Sequence, residues 1–275
     1  HEQLGWGQNF GWRFAFIALG LPGIVVALIL LFTVKEPPRG YSDPPGTQRV
    51  QKASITETLK ELGSKPTFWT MSLGAALVAL VGYGLFGFQA PMMQRLHGMS
   101  PGTFALQYGV PLSLISAVGT FAGGYLAEKL TPRSVAAVAW LPAVGLGLAI
   151  PLYIVGFYME PGTMQIAVWG LGAAAHYSYL GAQYTIGQGV VSQRSRASAI
   201  AILLFIIALI GNGLGPLIVG ILSDMFMKMQ IDAAGMSDTL TTTICRGRDL
   251  SALSEAQQTV CATAYGEGLR QSMAA

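Results

Sequence analysis

Polar side chains are scarce in the long apolar runs of this sequence, so the few present hold its chemical options. His176, Tyr179 and Gln183 stand at i, i+3 and i+7 of one charge-free run, a spacing that sets them on one helical face. Tyr184 lies beside that face, and Gln188 one turn further on. His176 is the one group near the middle of any such run that titrates near neutral pH. When protonated it can bind a carboxylate or phosphate, or it can carry a proton itself. The plainer alternative is a neutral imidazole bonded to a neighbouring helix. Tyr83 and Gln89 form a second polar pair, next to Gly82, Gly84 and Gly87. Gln107, Ser113, Ser116 and Asn212 are weaker candidates, because serine can bond its own backbone and asparagine can staple helices. No paired acids, His clusters, Gly-x-Ser-x-Gly elbow or metal-ligand spacing occur in these runs, and no Walker-type loop occurs anywhere. The chain therefore reads as a non-enzyme with no cofactor and no metal.

The elements that must hold these groups follow from charge. Of 275 residues, 52% are hydrophobic and 11% charged, less than half of the ~25% usual in soluble proteins. A soluble domain cannot cover its surface with so few charges, and disorder is excluded by the apolar content. A net charge of +3 gives no footprint for nucleic acid. The 16 basic and 13 acidic residues cluster, leaving six charge-free stretches: 14–34, 66–94, 96–127, 134–159, 161–193 and 197–223. Each exceeds the ~20 residues that span a bilayer core. None alternates as the strands of a membrane barrel do, so they are expected to be transmembrane helices.

Lys and Arg mark the cytoplasmic side of short loops. Lys35, Arg39, Arg49, Lys52, Lys60 and Lys65, then Lys129 and Arg133, then Arg194 and Arg196 all fall on one side of the alternating spans. The opposite short segments hold only Arg13 and Arg95. Residues 35–65 are therefore expected in the cytoplasm. Within them Ser54-Ile55-Thr56-Glu57 is a capping-box pattern ahead of a short helix. Gly124-Tyr125-Leu126-Ala127-Glu128 and Gly220-Ile221-Leu222-Ser223-Asp224 echo one another three spans apart, as inverted three-helix repeats would. Gly119 with Gly123, and Gly211 with Gly215, are small-xxx-small pairs expected to pack helices closely. The sequence opens on His1 and stops at Ala275 in an apolar turn, and it reads as part of a longer polypeptide.

Three stretches carry a resemblance. Gly11-Trp12-Arg13-Phe14-Ala15-Phe16, Gly20-Leu21-Pro22-Gly23 and Glu36-Pro37-Pro38-Arg39-Gly40 resemble the sixth helix, and its exit, of major facilitator superfamily transporters. Gly123-Gly124-Tyr125-Leu126-Ala127-Glu128-Lys129 with Arg133 resembles the second-half copy of that superfamily's loop signature. It departs from that signature by Glu128 in place of Asp and by Thr131-Pro132-Arg133 in the turn. Arg194-Ser195-Arg196-Ala197-Ser198-Ala199, Gly211-Asn212-Gly213-Leu214-Gly215-Pro216 and Gly220 to Asp224 resemble the passage from helix ten through helix eleven. The bacterial branch similar to Spinster-like transporters fits best.

The resemblance implies an all-α, polytopic helical bundle with about six transmembrane helices. Residues 1–34 would be the last helix of an N-terminal bundle, and 35–65 a cytoplasmic inter-bundle loop with a short helix. Residues 66–226 would be helices seven to eleven of a C-terminal bundle, and 227–275 a periplasmic loop and the start of a further helix. Helices one to five and twelve would lie elsewhere. The implied function is secondary active transport of a small organic solute, an organic anion or a lipid-like molecule, with a proton as coupling ion. The protein would be a monomer among the lipids of the bacterial inner membrane. A receptor or a membrane-embedded enzyme on the same scaffold is the alternative. Tyr83, Gln89, Gln107, His176, Tyr179, Gln183, Tyr184 and Asn212 are the cavity candidates. Glu128, Lys129, Arg133, Arg194 and Arg196 crowd the cytoplasmic rim as a candidate salt-bridge latch, although the charge rule alone accounts for the cations. Cys245 and Cys261 share a loop expected in the oxidising periplasm and are expected to pair. Asp249 or Ser251 is expected to cap a helix over 252–265.

Overall fold

The computed structural model describes residues 11–35, 54–130, 132, 134, 136–247 and 250–275, and among them every regular element is helical. The chain forms two compact units, residues 1–51 and 52–275. The first contributes α1 (Gly11–Thr33), an apolar helix with Pro22 inside it. Its large side chains are exposed, Phe32 at 82% and Leu31 at 73%. An all-apolar exposed surface fits lipid rather than water.

The second unit begins with α2 (Ile55–Gly63) and α3 (Pro66–His97). The expected capping box forms at α2: the Glu57 amide donates to Ser54 Oγ, and the Ser54 amide donates to the Glu57 carboxylate. Pro66 opens α3, where its missing N–H costs nothing, and Gly98 in the left-handed region ends it. Then follow α4 (Pro101–Phe104), a π turn (Ala105–Gly109), α5 (Val110–Leu130), α6 (Ala137–Tyr158), α7 (Thr163–Tyr177) and α8 (Tyr179–Gly189). The remainder is α9 (Arg196–Ile207), a π turn (Ala208–Asn212), α10 (Gly213–Ala233), α11 (Thr242–Cys245) and α12 (Glu255–Ala274).

Both π turns have the same cause. Pro111 and Pro216 follow them, and a proline gives no amide to the carbonyl four residues back, Gln107 and Asn212 respectively. The helix widens instead, so that the Val110 amide reaches Ala105 O and the Gly213 amide reaches Ala208 O.

Among the described residues, five helical segments are long and apolar enough to cross a membrane: Phe16–Thr33, Pro66–His97, Pro101–Leu130, Val138–Tyr158 and Arg196–Ala233. The remaining charge-free stretch, 161–193, is helical but interrupted at Ser178, where α7 gives way to α8. The Ser178 hydroxyl donates to Ala175 O (2.7 Å) and competes locally with the helical ladder. The last span also differs from expectation: α10 passes Asp224 and runs to Ala233.

Lipid tails are as apolar as leucine, so close approach must do what hydrophobic burial does in water. Here α7 lies between α5 and α6, α3 packs on α8, α9, α10 and α12, and α10 packs on α12. The small-residue pairs make those approaches as expected. A Cβ on Gly119 would lie 2.3 Å from the Ala174 backbone, and one on Gly215 2.4 Å from Leu80 O. One apolar cluster, centred on Met92, Tyr108, Phe157, Trp169 and Leu269, joins α3, the first π turn, α6, α7 and α12. A second, centred on Leu62, Phe68, Tyr179 and Leu203, joins α2, α3, α8 and α9.

A third cluster, with Met227, Ile231 and Leu240, surrounds a disulfide between Cys245 and Cys261, which confirms the expected pair. The helix beside it is longer than expected and starts later. Ser254 is its N-cap, in a reciprocal capping box with Gln257. Asp249 lies outside the described residues, and Ser251 sits three residues before the true cap. Gln257 three residues after Ser254 is the signal that marks this helix start.

Candidate functional site

A cleft of about 870 Å³ opens between α3, the first π turn, α5 and α7. Its wall is mostly apolar, from Leu85 and Phe86 on α3, Phe104, Val110 and Leu112 before and within α5, and Trp169 on α7. The polar groups along it are neutral side chains and one imidazole: Gln89, Ser113, Ser116, Thr120, Tyr153, His176 and Tyr177. Ser113 donates to Gly109 O and Ser116 to Leu112 O, both at 2.7 Å, and Thr120 donates to Ser116 O at 3.0 Å. Those hydroxyl protons are used within their own helix, which leaves the oxygens as acceptors.

His176 sits at the end of α7, two residues before the interruption at Ser178, and is 5% exposed. Three rings enclose it edge-on: Tyr153 at 6.1 Å, Tyr177 at 5.2 Å and Tyr179 at 5.9 Å between centroids. On its remaining side Gly82 makes room, for a Cβ there would lie 3.0 Å from Nε2. Gly84 serves packing in the same way, against Val219 and Gly215, whereas a Cβ on Gly87 would meet open space.

The structure sorts the cavity candidates. Gln89 and His176 line the cleft. Tyr179 and Gln183, expected on one face with His176, do not line the cleft with it; they are buried in the bundle, 9% and 5% exposed, and Gln183 Oε1 has no hydrogen-bond partner. Tyr83 and Tyr184 lie at the surface of this unit, 42% and 37% exposed. Gln107 and Asn212 are exposed on the two π turns.

At the α2 end, Glu128 borders a separate hollow of about 640 Å³ with Gly124, Ala127, Pro132, Val138, Gly181 and Thr185. Lys129 reaches over the Tyr125 ring at 5.8 Å. Arg194 and Arg196 are exposed, and Arg133 lies outside the described residues. Arg246 forms an ion pair with Asp224, and Arg270 with Glu267. No group of three or more His, Cys, Asp or Glu side chains among the described residues is placed to hold a metal.

Sequence reasoning misses the buried network that floors the cleft. The Tyr108 hydroxyl, in the first π turn, donates to Gln165 Oε1 (2.8 Å) and accepts from the Gly162 amide (3.0 Å). Gln165 Nε2 donates to Gly156 O (2.9 Å) and Met159 O (3.2 Å). Trp169 packs edge-on against Tyr108 and Phe157, and Gly156 leaves space for its indole. This network fixes the π turn against the α6–α7 connection, and so fixes one wall of the cleft. Its available signal is Gln165 itself, a fully buried amide in an apolar run, which demands partners.

The Major Facilitator Superfamily profile matches residues 5–216. An MFS-type efflux pump of Mycolicibacterium smegmatis is 29% identical over 223 residues, covering 79% of this chain and 49% of that protein. Protein spinster of Drosophila melanogaster is 27% identical over 228 residues, covering 79% of this chain and 37% of that protein. Among solved structures, a bacterial homolog to the human lysosomal transporter Spinster, in its inward-facing and unoccupied conformation, is 52% identical with a TM-score of 0.75. The match covers 96% of this chain and 55% of that one. The occupied conformation matches with 50% identity and a TM-score of 0.71, over 96% and 54% of the two chains. The chain thus spans about half the length, or less, of the curated relatives it matches. The family is one of transporters rather than enzymes, and its long apolar helices agree with a multi-pass membrane protein. With the profile covering most of its length, this chain belongs to the major facilitator superfamily.

Proposed function

We propose that this chain supplies the second half of the solute pathway in a secondary active transporter working by alternating access. The observation that carries this reading is the cleft: an apolar-walled space with one imidazole and a few neutral acceptors, and no fixed charge along it. Such a wall suits a small organic solute with an apolar body, and His176 is the one side chain lining it that can carry a positive charge toward an anionic group. Its likeness to structures described as inward-facing transporters supports the same reading. The cation asymmetry of the short loops puts the α2 end in the cytoplasm of a bacterium and the disulfide end outside. Glu128, Lys129, Arg133, Arg194 and Arg196 would then form the cytoplasmic rim, as a candidate latch between conformations.

The test uses the complete transporter in liposomes. A panel of organic anions and single-chain amphiphiles is screened by thermal stabilisation, and the strongest hit is followed by counterflow. His176→Gln is expected to weaken its binding at least tenfold, or to flatten the pH dependence of its exchange. Unchanged counterflow from pH 5.5 to 8 would make His176 a packing residue. Chemical turnover of the hit by purified protein would overturn the transporter reading itself.

A further inference from the structure

One acid outside the membrane-spanning helices is engaged over a long sequence distance. Glu61, in the last turn of α2, receives the Ser192 amide at 2.6 Å, the Ser192 hydroxyl at 3.0 Å and the Ser195 hydroxyl at 2.5 Å. These donors stand 131 and 134 residues away, in the short connection from α8 to α9. Ser195 is the N-cap residue of α9, yet its side chain makes no bond to that helix's own amides. Its hydroxyl is given to Glu61 instead, so a carboxylate from another element lies beside the electropositive start of α9. Ser195 is 1% exposed. The Ser195 hydroxyl, then the Ser192 amide, hold the Glu61 carboxyl below its ordinary pKa, so it is ionised at neutral pH. Hydrogen bonds to an ionised acceptor are the strong class.

The rest of α2 is held by two fully buried side chains, Thr58 and Leu62. Leu62 is fully buried in the cluster with Phe68 and Leu203, and its carbonyl accepts from Trp69 Nε1 at 2.9 Å. Ile55 and Leu59 are exposed at 72% and 48%. Leu62 packs on both the start of α3, through Phe68, and α9, through Leu203, while the Trp69 bond ties α2 to α3 alone. The polar tie to the distant helix runs through Glu61.

We propose that Glu61 is a positioning residue that fastens the inter-bundle helix α2 to the inner ends of α8 and α9. Because of it, α2 travels as part of the second unit and acts on α9 directly, not only on α3. The significance for a rocking mechanism rests on the transporter reading above. The tether itself does not, and its test needs no solute.

The two native cysteines are joined to each other, so new cysteines can be labelled selectively. Spin labels at Thr56→Cys and Gln193→Cys, both exposed positions, report the α2 to α8–α9 distance in the full chain in lipid nanodiscs. A single narrow distribution is expected. Glu61→Ala should broaden it, and should speed amide exchange over 190–199 about tenfold or more. Ser192→Ala with Ser195→Ala approaches the same bonds from the other side and should broaden it too. Glu61→Ala combined with Ser195→Asp separates tether from cap. Aspartate is itself an N-cap, so exchange over 196–200 should return toward native while the distance stays broad. A narrow distance in Glu61→Ala would mean that Leu62 and Trp69 suffice, and a narrow distance restored by Ser195→Asp would mean that Glu61 only caps α9. Either overturns the tether and leaves the transporter reading standing, whereas failed counterflow leaves the tether standing.

Discussion

Gly119→Ala is expected to leave little correctly assembled protein. A methyl group there would sit 2.3 Å from both Cα and O of Ala174, and neither atom belongs to a side chain that can swing away. The neighbours repeat the constraint. A Cβ on Gly123 would meet Ser178 O at 2.4 Å, and one on Gly145 would meet Ser178 Oγ at 2.4 Å and Ala175 O at 2.7 Å. The end of α7 is therefore gripped between α5 and α6 by backbone contact on two sides. To admit the methyl, α5 and α7 must separate by about an ångström, which strips contacts along both helices. Overpacking of a rigid site costs about 1–3 kcal/mol and sometimes more, and this site belongs at the upper end because only backbone can yield. In lipid no water-driven burial compensates, since tails fill the opened seam as well as side chains do. Gly147→Ala on α6 is the control, for its Cβ would meet nothing within 4 Å and alanine is the better helix former. Size-exclusion profiles and thermal midpoints in detergent should show Gly119→Ala aggregated or strongly destabilised and Gly147→Ala native or better. A native midpoint for Gly119→Ala would mean that the helices part without cost. The same seam places His176, so a milder variant that folds should also disturb the cleft.

Much of this was legible from where charge is absent. The apolar stretches matched the helical segments because a bilayer-crossing helix must be apolar whatever its neighbours are. Both π turns follow prolines visible in the sequence, and the close-packing glycines stood out by their spacing. The paired cysteines left a single possible partner each. What could not be read was facing. In a helix apolar all round there is no stripe to show which side meets protein, so the placement of Tyr83 and Tyr184 at the surface of this unit, beside a buried His176, is not encoded locally. The interruption at Ser178 carries neither Gly nor Pro, and it falls between His176, which lines the cleft, and Tyr179 and Gln183, which do not. The Tyr108–Gln165 pair and the Glu61–Ser195 pair join residues 57 and 134 apart. No local pattern encodes such partners, because the approach of whole helices creates them. The cap of α12 was a different kind of miss: a serine with Gln three residues later was present at Ser254, and a nearer acid drew the assignment instead.

Replacing both cysteines by alanine is expected to release the α11 region without unseating α3 to α10. The disulfide joins α11 to α12 across 16 residues, and both sulfurs are buried, Cys245 at 4% and Cys261 at 0% exposed. Closing a loop of that length contributes on the order of 3 kcal/mol in the chain-entropy model. At about 1.4 kcal/mol per factor of ten, that is about a hundredfold in the opening equilibrium. The loss should be local because the far end of α12 has its own anchors. A Cβ on Gly268 would lie 2.8 Å from the Met227 amide and Ser223 O, and one on Gly266 2.6 Å from Leu96. The Arg95 guanidinium lies over the Tyr265 ring at 3.8 Å, and that of Arg270 over Tyr158 at 4.6 Å. None of these contacts passes through sulfur. On the α11 side the Arg246–Asp224 ion pair and a small apolar cluster around Leu240, with Met236, Leu250 and Leu253 partly buried against it, remain, and an exposed ion pair adds little. Limited proteolysis should therefore cut the double variant between residues 234 and 254 far faster than the native chain, with the helices before it intact. Native protein should resist thiol reagents until it is both unfolded and reduced, since a reductant must wait for this segment to open. Equal protease resistance in the double-alanine variant would show that the small apolar cluster holds the segment alone, and the disulfide would then be a consequence of that packing rather than its support.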